Sequence, residues 1–171
     1  RAQAARADTR PRAKAYGEPG GWQRRRFVTR VRDWAGAEVP DPYDPAFVRT
    51  IPRELRRIIA HALAEEHTAR AVAGLGMGFT AWHDVAVPTS PGAGYAGAGV
   101  PAADGSATPD DTLDHIVLGP SGLYGLMSAD FGEIARFRGG EVIASDTGSP
   151  APVTTLVTQV RAVSRAARVR F

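Results

Sequence analysis

The segment from Asp114 to Tyr124 constrains the fold of this chain more than any other part of its sequence. It contains an apolar run, a Gly-Pro-Ser-Gly turn, and a second apolar run that begins at Leu123. Short apolar runs bounded by turn residues are typical of strands buried in a sheet. A carboxylate at the start of a buried strand needs hydrogen bonds, a cation or a metal ion as its partner. The segment therefore predicts two buried strands joined by a tight turn, with an acidic group at the mouth of the first.

The other elements of the C-terminal part follow from periodicity. Apolar residues at helical spacing after Pro52 predict a helix that ends at Gly74, and Gly139-Gly140 predicts the turn of a strand pair. Residues 88–110 are rich in Gly, Ala and Pro without apolar periodicity, which indicates a long exposed loop. The sequence thus predicts strands at 79–87, 112–118 and 123–128, a strand pair at 134–138 and 141–144, and a final amphipathic helix at 154–168.

Residues 1–50 differ in composition from the rest of the chain. Residues 1–32 contain nine Arg and one Lys against two acidic residues, a net charge of +8, and few residues that could form a core. High net charge with low apolar content favours disorder or folding on a partner. The prolines of residues 39–45 indicate a rigid linker. We therefore predict a basic, disordered extension and linker over 1–50 and a folded domain over 51–171.

The composition also limits the chemistry. The chain has no cysteine, which excludes disulfides and thiolate metal sites and fits a reducing, cytoplasmic location. It shows no apolar run long enough to cross a bilayer and no signal-peptide pattern. Lys14 is its single lysine, so a mechanism that needs a positioned lysine has only this residue to use.

The strand-turn-strand block with Asp114 at its mouth resembles the core of the nuclease-related domain (NERD) family, within the restriction-endonuclease-like, PD-(D/E)xK, group. The resemblance spans about residues 54–168 and is most specific over 112–131. It implies an α/β fold with a small mixed β-sheet flanked by helices. It also places Asp114 where the family has a metal ligand, whereas the residue types alone favour a structural carboxylate that accepts backbone hydrogen bonds.

In this family an acidic residue of the first helix contributes to the site. The spacing along the chain points to Glu65, whereas helical geometry points to Glu66, which falls inside the apolar stripe. An alternative is that both are solvated, with Glu66 paired to Arg70 four residues later.

The second half of the family's site is absent from this sequence. The resemblance places an acid and a lysine at Met127 and Ala129, and neither of these residues can bind magnesium or carry charge. We therefore expect no catalysis, no metal and no cofactor. The alternative is a magnesium-dependent DNA nuclease with a relocated site, in which Asp114 and Glu66 hold the metal and Glu133 supplies a migrated carboxylate.

His115 follows Asp114 directly. Side chains alternate along a strand, so the imidazole is expected to point away from the carboxylate and to be a packed, hydrogen-bonded histidine rather than a ligand of the same ion.

The function expected from these features is a catalytically degenerate, nuclease-like module that binds nucleic acid or acts in assembly. Phosphate contacts would come from the arginine-rich arm, and Trp22, Phe27 and Trp34 could stack on bases. An acidic protein surface or further domains of a longer chain are equally open as partners, and no membrane partner is expected. The residues predicted to bind nucleic acid are Arg24, Arg25, Arg26, Arg30 and Arg32.

Overall fold

The computed structural model of the chain describes residues 12–87, 112–129, 135–143 and 152–167. Within these residues the chain forms an α/β fold in which three consecutive helices and a final helix surround the strands. The elements, in order, are β1 (Lys14–Tyr16), α1 (Gly21–Ala35), α2 (Pro45–Thr50), α3 (Arg53–Ala73), β2 (Thr80–Ala86), β3 (Thr112–Gly119), β4 (Gly122–Leu126), β5 (Arg136–Arg138), β6 (Glu141–Ile143) and α4 (Pro152–Ala166).

The main sheet is mixed, as predicted. Its four strands lie side by side in the order β1, β2, β3, β4; β1 runs parallel to β2, and the other neighbours are antiparallel. The strands β5 and β6 form a separate hairpin that turns at Gly139-Gly140, also as predicted. The predicted loop at residues 88–110 lies outside the described residues.

The helices α3 and α4 pack on opposite faces of the main sheet. Val117 of β3 contacts Val72 of α3, whereas the preceding residue, Ile116, contacts Val163 of α4. Successive residues of a strand point to opposite faces, so these contacts place one helix on each side. Both helices were predicted from their apolar spacing. None of the helices in the described part of the chain is long and apolar enough to cross a membrane.

The prediction of disorder over residues 1–50 is wrong for residues 12–50, which contain β1, α1 and α2. Phe27 and Val31 of α1 are buried against Leu55 and Ile59 of α3, in a core that Ile51 closes. These apolar side chains are few, but they lie on one side of α1 and remove its inner face from water. The composition of the segment could not show this, because the surface that receives α1 belongs to α3, which lies outside the segment.

Candidate functional site: a buried carboxylate cluster

Three carboxylates from different elements meet between α3 and the sheet. Glu65 comes from the middle of α3, Asp84 from β2 and Asp114 from β3. Glu65 is only 2% exposed, although it is an acidic residue. The three groups interact electrostatically: the charges of Asp114 and Asp84 both raise the pKa of Glu65, and the charge of Asp84 raises that of Asp114. We call these three residues the carboxylate cluster.

Burial controls the ionisation of the cluster. It is the main cause that raises the pKa of Glu65 to about 9, followed by the charges of Asp114 and Asp84. Burial likewise raises the pKa of Asp114 to about 7, and it is the main cause of the raised pKa of Asp84. Glu65 and Asp84 are hydrogen-bonded to each other. Glu65 is the more buried of the two, and the charge of Arg25 lowers the pKa of Asp84, so Glu65 holds the proton and is the donor. At neutral pH, Glu65 therefore carries a proton.

Each carboxylate of the cluster also accepts a backbone hydrogen bond from outside its own element. The amide of Gly20 donates to Glu65 Oε2 at 3.0 Å, and the amide of Trp22 donates to Asp84 Oδ2 at 2.7 Å. The amide of Ser128, which follows β4, donates to Asp114 Oδ2 at 2.5 Å. The start of α1 is thus bound directly to the cluster.

Glu65, and not Glu66, is the helix residue of the cluster. Glu66 lies on the flank of α3 and pairs with Arg24, whose Nε donates to Oε1 at 2.8 Å, and with Arg70 at 3.4 Å. The preference for Glu66 from helical geometry is therefore wrong, whereas its predicted pairing with Arg70 is confirmed. Glu66 lies outside the cluster because α1 packs beside α3 and its Arg24 provides a partner for Glu66 there.

Asp84 was not identified from the sequence. Its backbone is in the left-handed region, with φ of 51°, which is uncommon for a residue other than glycine. The ladder between β2 and β3 pairs His83 with His115 and then Val85 with Leu113, without a pair at Asp84. This local break turns the Asp84 carboxylate towards the start of α1. The signal that could have indicated it is a pair of polar residues, His83 and Asp84, inside an otherwise apolar strand.

His115 is a packed, hydrogen-bonded histidine, as predicted, and it is completely buried. Its Nδ1 lies 2.8 Å from Nδ1 of His83, and its Nε2 lies 3.1 Å from Oγ of Ser128. The Ser128 hydroxyl donates to Thr68 Oγ1, which donates to the carbonyl of Ala64. Because the Ser128 proton is used in this way, His115 Nε2–H is the donor to Ser128, and His83 Nδ1–H is the donor to His115.

The expectation that Asp114 and His115 point to opposite faces is wrong, because Ser128 is hydrogen-bonded to both side chains. His115 is linked to α3 by the hydroxyl chain, and Asp114 interacts with Glu65 of that helix. Strict alternation fails next to the break in the ladder at Asp84 of β2. The pKa of His115 is lowered to about 4, mainly by burial and then by the proximity of His83, so the imidazole is neutral.

Met127 and Ala129, where the resemblance places an acid and a lysine, lie just beyond β4. Met127 is 37% exposed, Ala129 is half-buried, and the strand ends at Leu126, two residues earlier than predicted. Glu133 lies outside the described residues. Within the described ranges, no three His, Asp or Glu side chains are arranged to hold a metal ion. One oxygen of each cluster carboxylate accepts a backbone amide, and the three side chains are not arranged to share a metal ion.

The arginines predicted to bind nucleic acid have different environments. Arg24 is held by Glu66, and Arg26 lies over the ring of Trp22 at 5.2 Å. Arg25, Arg30 and Arg32 are exposed on α1.

The aromatic residues expected to stack on bases also differ. Trp22 and Phe27 are buried in the protein and are not available to bases, whereas Trp34 is 51% exposed.

Comparison with known proteins gives no assignment. No protein-family model matches the chain, and no curated protein or solved structure matches it.

Proposed function

We propose that this chain is a nuclease-like domain without catalysis that binds nucleic acid through the outer face of α1. The lack of catalysis is supported by the state of the carboxylate cluster, whose acids share a proton and accept amides. It is also supported by Met127 and Ala129, which provide neither a ligand nor a positive charge. Metal-dependent cleavage of a phosphodiester needs carboxylates that are free to hold a cation.

The observation that carries the binding proposal is the fixed presentation of arginines on α1. Phe27 and Val31 hold the inner face of the helix against α3, and Arg25, Arg30 and Arg32 project from the rest of its surface. The helix contains five arginines and one acidic residue, Asp33. A rigid basic helix contacts phosphates without reading the sequence, and its affinity falls as salt releases the electrostatic attraction.

Trp34 supports single-stranded nucleic acid as the preferred form. Its ring is half-exposed in the last turn of α1, two residues after the exposed Arg32. A base that leaves the stack can lie on such a ring while neighbouring phosphates contact the arginines.

The test is fluorescence anisotropy with labelled single- and double-stranded oligonucleotides over a range of salt concentrations. The Arg25→Glu/Arg32→Glu variant reverses two charges on α1. The matched control is Arg161→Glu/Arg165→Glu, which makes the same change at exposed positions of α4, on the other face of the sheet. We expect the α1 variant to lose most of its affinity, with a salt slope smaller by about 0.7 on single strands and about 0.9 on duplex DNA for each phosphate contact removed. Equal losses in both variants, or no salt-dependent binding in the wild type, would refute the nucleic-acid proposal and favour a role in assembly.

A plasmid-cleavage assay with Mg²⁺ and Mn²⁺ tests the other half of the proposal. We expect no cleavage by the intact chain. Cleavage that Asp114→Ala removes would instead establish a nuclease with a relocated site, and Glu133 would then be the next residue to change.

A further inference from the structure

The carboxylate cluster needs an occupant that supplies positive charge or hydrogen-bond donors. Three acids from separate elements interact there, with Glu65 buried and Asp84 and Asp114 partly buried, which is unfavourable unless protons, cations or donors compensate. The resemblance to the nuclease-related family assigns that role to a divalent cation, but the arrangement of these side chains does not fit one.

The first residues of α1 supply donors in the required place. The amides at the start of a helix have no partners within the helix, and the helix dipole makes this end positive. In α1 no side chain of the N-cap residue binds these amides, and the first turn contains no acidic residue. The amide of Trp22 is bound instead by Asp84, which is 62 residues away in the chain. The cluster therefore caps α1 from β2 and α3.

Glycines allow this segment to approach so closely. A Cβ atom on Gly20 would lie 2.7 Å from the carbonyl oxygen of Ala62 in α3, and one on Gly17 would lie 2.3 Å from that of His83 in β2. Real Cβ atoms do not approach backbone oxygens to these distances. Both glycines also have positive φ, 74° at Gly20 and 82° at Gly17. The segment fits between helix and strand because these two positions lack side chains.

We infer that the segment 17–22 is a built-in occupant of the carboxylate cluster: the backbone amides of Gly20 and Trp22, and not a divalent cation, complete the site and fix α1 to the core. This inference deepens the non-catalytic part of the proposed function and rests on it. It assigns the former metal position to the protein's own backbone and gives the cluster a structural task, the attachment of the arginine-bearing helix.

Metal titration of the full chain is the first test. Thermal unfolding and calorimetry with Mg²⁺ and Mn²⁺ are expected to show neither a shift in Tm nor a heat of binding, in the wild type and in Asp114→Asn alike. A shift that Asp114→Asn abolishes would overturn the inference. Metal binding without cleavage would overturn the inference alone, whereas cleavage in the plasmid assay would overturn the proposed function as well.

Amide hydrogen exchange provides a second test of the inference, which does not depend on metal. The amide of Trp22 is at the second position of a helix, where exchange is normally fast. We expect it to be protected in the wild type and to exchange much faster in Asp84→Ala. The matched internal control is the amide of Glu54, at the second position of α3 in an exposed residue. Exchange of Trp22 as fast as that of Glu54 in the wild type would refute the contact.

Two glycine variants distinguish the effect of the close packing of Gly20 against α3 from the effect of its positive φ. Gly36, at the end of α1, has a φ of 65° and no atom within 4 Å of an added Cβ. Gly36→Ala therefore has the strain of positive φ without the clash. We expect Gly20→Ala to lower Tm much more than Gly36→Ala and to remove the protection of the Trp22 amide. Equal effects would show that the segment does not have to fit closely against α3.

Discussion

Glu65 donates a hydrogen bond to Asp84, so two acids that are 19 residues apart in sequence share one proton in the folded protein. This proton has a consequence for stability. The unfolded chain releases it near the ordinary pKa of a glutamate, whereas the folded chain keeps it up to about pH 9. Between these values the folded state binds more protons, so the free energy of unfolding decreases as pH rises.

We therefore predict that stability falls from pH 6.5 to pH 9. His115 has the opposite effect, because its folded pKa of about 4 favours the neutral ring, but this contribution changes only below its ordinary pKa of 6.5. Above that pH the carboxylate cluster dominates, with a loss on the order of a few kcal/mol. Urea denaturation across this range measures it. Glu65→Gln should flatten the profile, and a wild type whose stability is constant or rises towards pH 9 would contradict the prediction.

The hydrogen bonds that link His115 through Ser128 to Thr68 provide a second prediction. Ser128→Ala removes the acceptor of His115 Nε2–H and leaves a buried donor without a partner, which should cost about 1–3 kcal/mol. Thr158→Ala is the control, because its hydroxyl donates to a backbone carbonyl at the exposed surface of α4. Chemical denaturation of both variants makes the comparison, and a similar small loss in each would show that the chain contributes little.

Arg24 and Arg25 are neighbours with different tasks, and their alanine variants should separate them. Arg24 binds Glu66 through two nitrogens and lies over the ring of Tyr43 at 5.3 Å, whereas Arg25 is 3.9 Å from Glu18 and more exposed. We predict that Arg24→Ala lowers the free energy of unfolding by about 1 kcal/mol and that Arg25→Ala changes it by less than about 0.5 kcal/mol. For nucleic-acid affinity the order should reverse, with the larger loss in Arg25→Ala. The same ranking in both assays would contradict this division.

The packing of α4 on β4 depends on Gly125. A Cβ at this position would lie 2.1 Å from Cγ2 of Val160. Gly125→Ala should therefore push α4 away from the sheet and destabilise the protein by about 1–3 kcal/mol. Gly78→Ala is the control, since its added Cβ would meet Pro120 at an ordinary 3.7 Å. Equal melting temperatures of the two variants would show that the position of α4 against the sheet does not contribute to stability.

The parts of this fold that the sequence predicted are those with local signals. The helix α3 has an apolar stripe and begins directly after Pro52, and β3 and β4 have apolar runs on either side of a turn. The strand β1 has only three residues, all exposed, and its support is the pairing with β2. Such an element has no pattern of its own to detect.

The candidate site was predicted in part for the same reason. Asp114 and Glu65 were named as candidates from the sequence, but the preference between Glu65 and Glu66 depends on which flank of α3 receives α1. Asp84 contributes through a backbone conformation that the sequence does not reveal. The amides of Gly20 and Trp22 belong to a segment whose arginines indicated disorder. All of these contacts join distant parts of the chain, and the spacing of apolar residues along the sequence does not predict them.

The parallel pairing of β1 with β2 also joins the segment before the arginine helix to a part of the chain that follows α3. Lys14 can pair with Thr80 only after α3 and β2 have been made, so β1, the first strand of the described residues, gains its partner strand late. Contacts so far apart in sequence delay folding because a long loop must close before they form. The basic surface is likewise placed by α3 and β2, which follow it in the chain. A chain shortened from its N-terminus through residue 32 would lose a sheet edge and most of a helix, and not merely a charged tail.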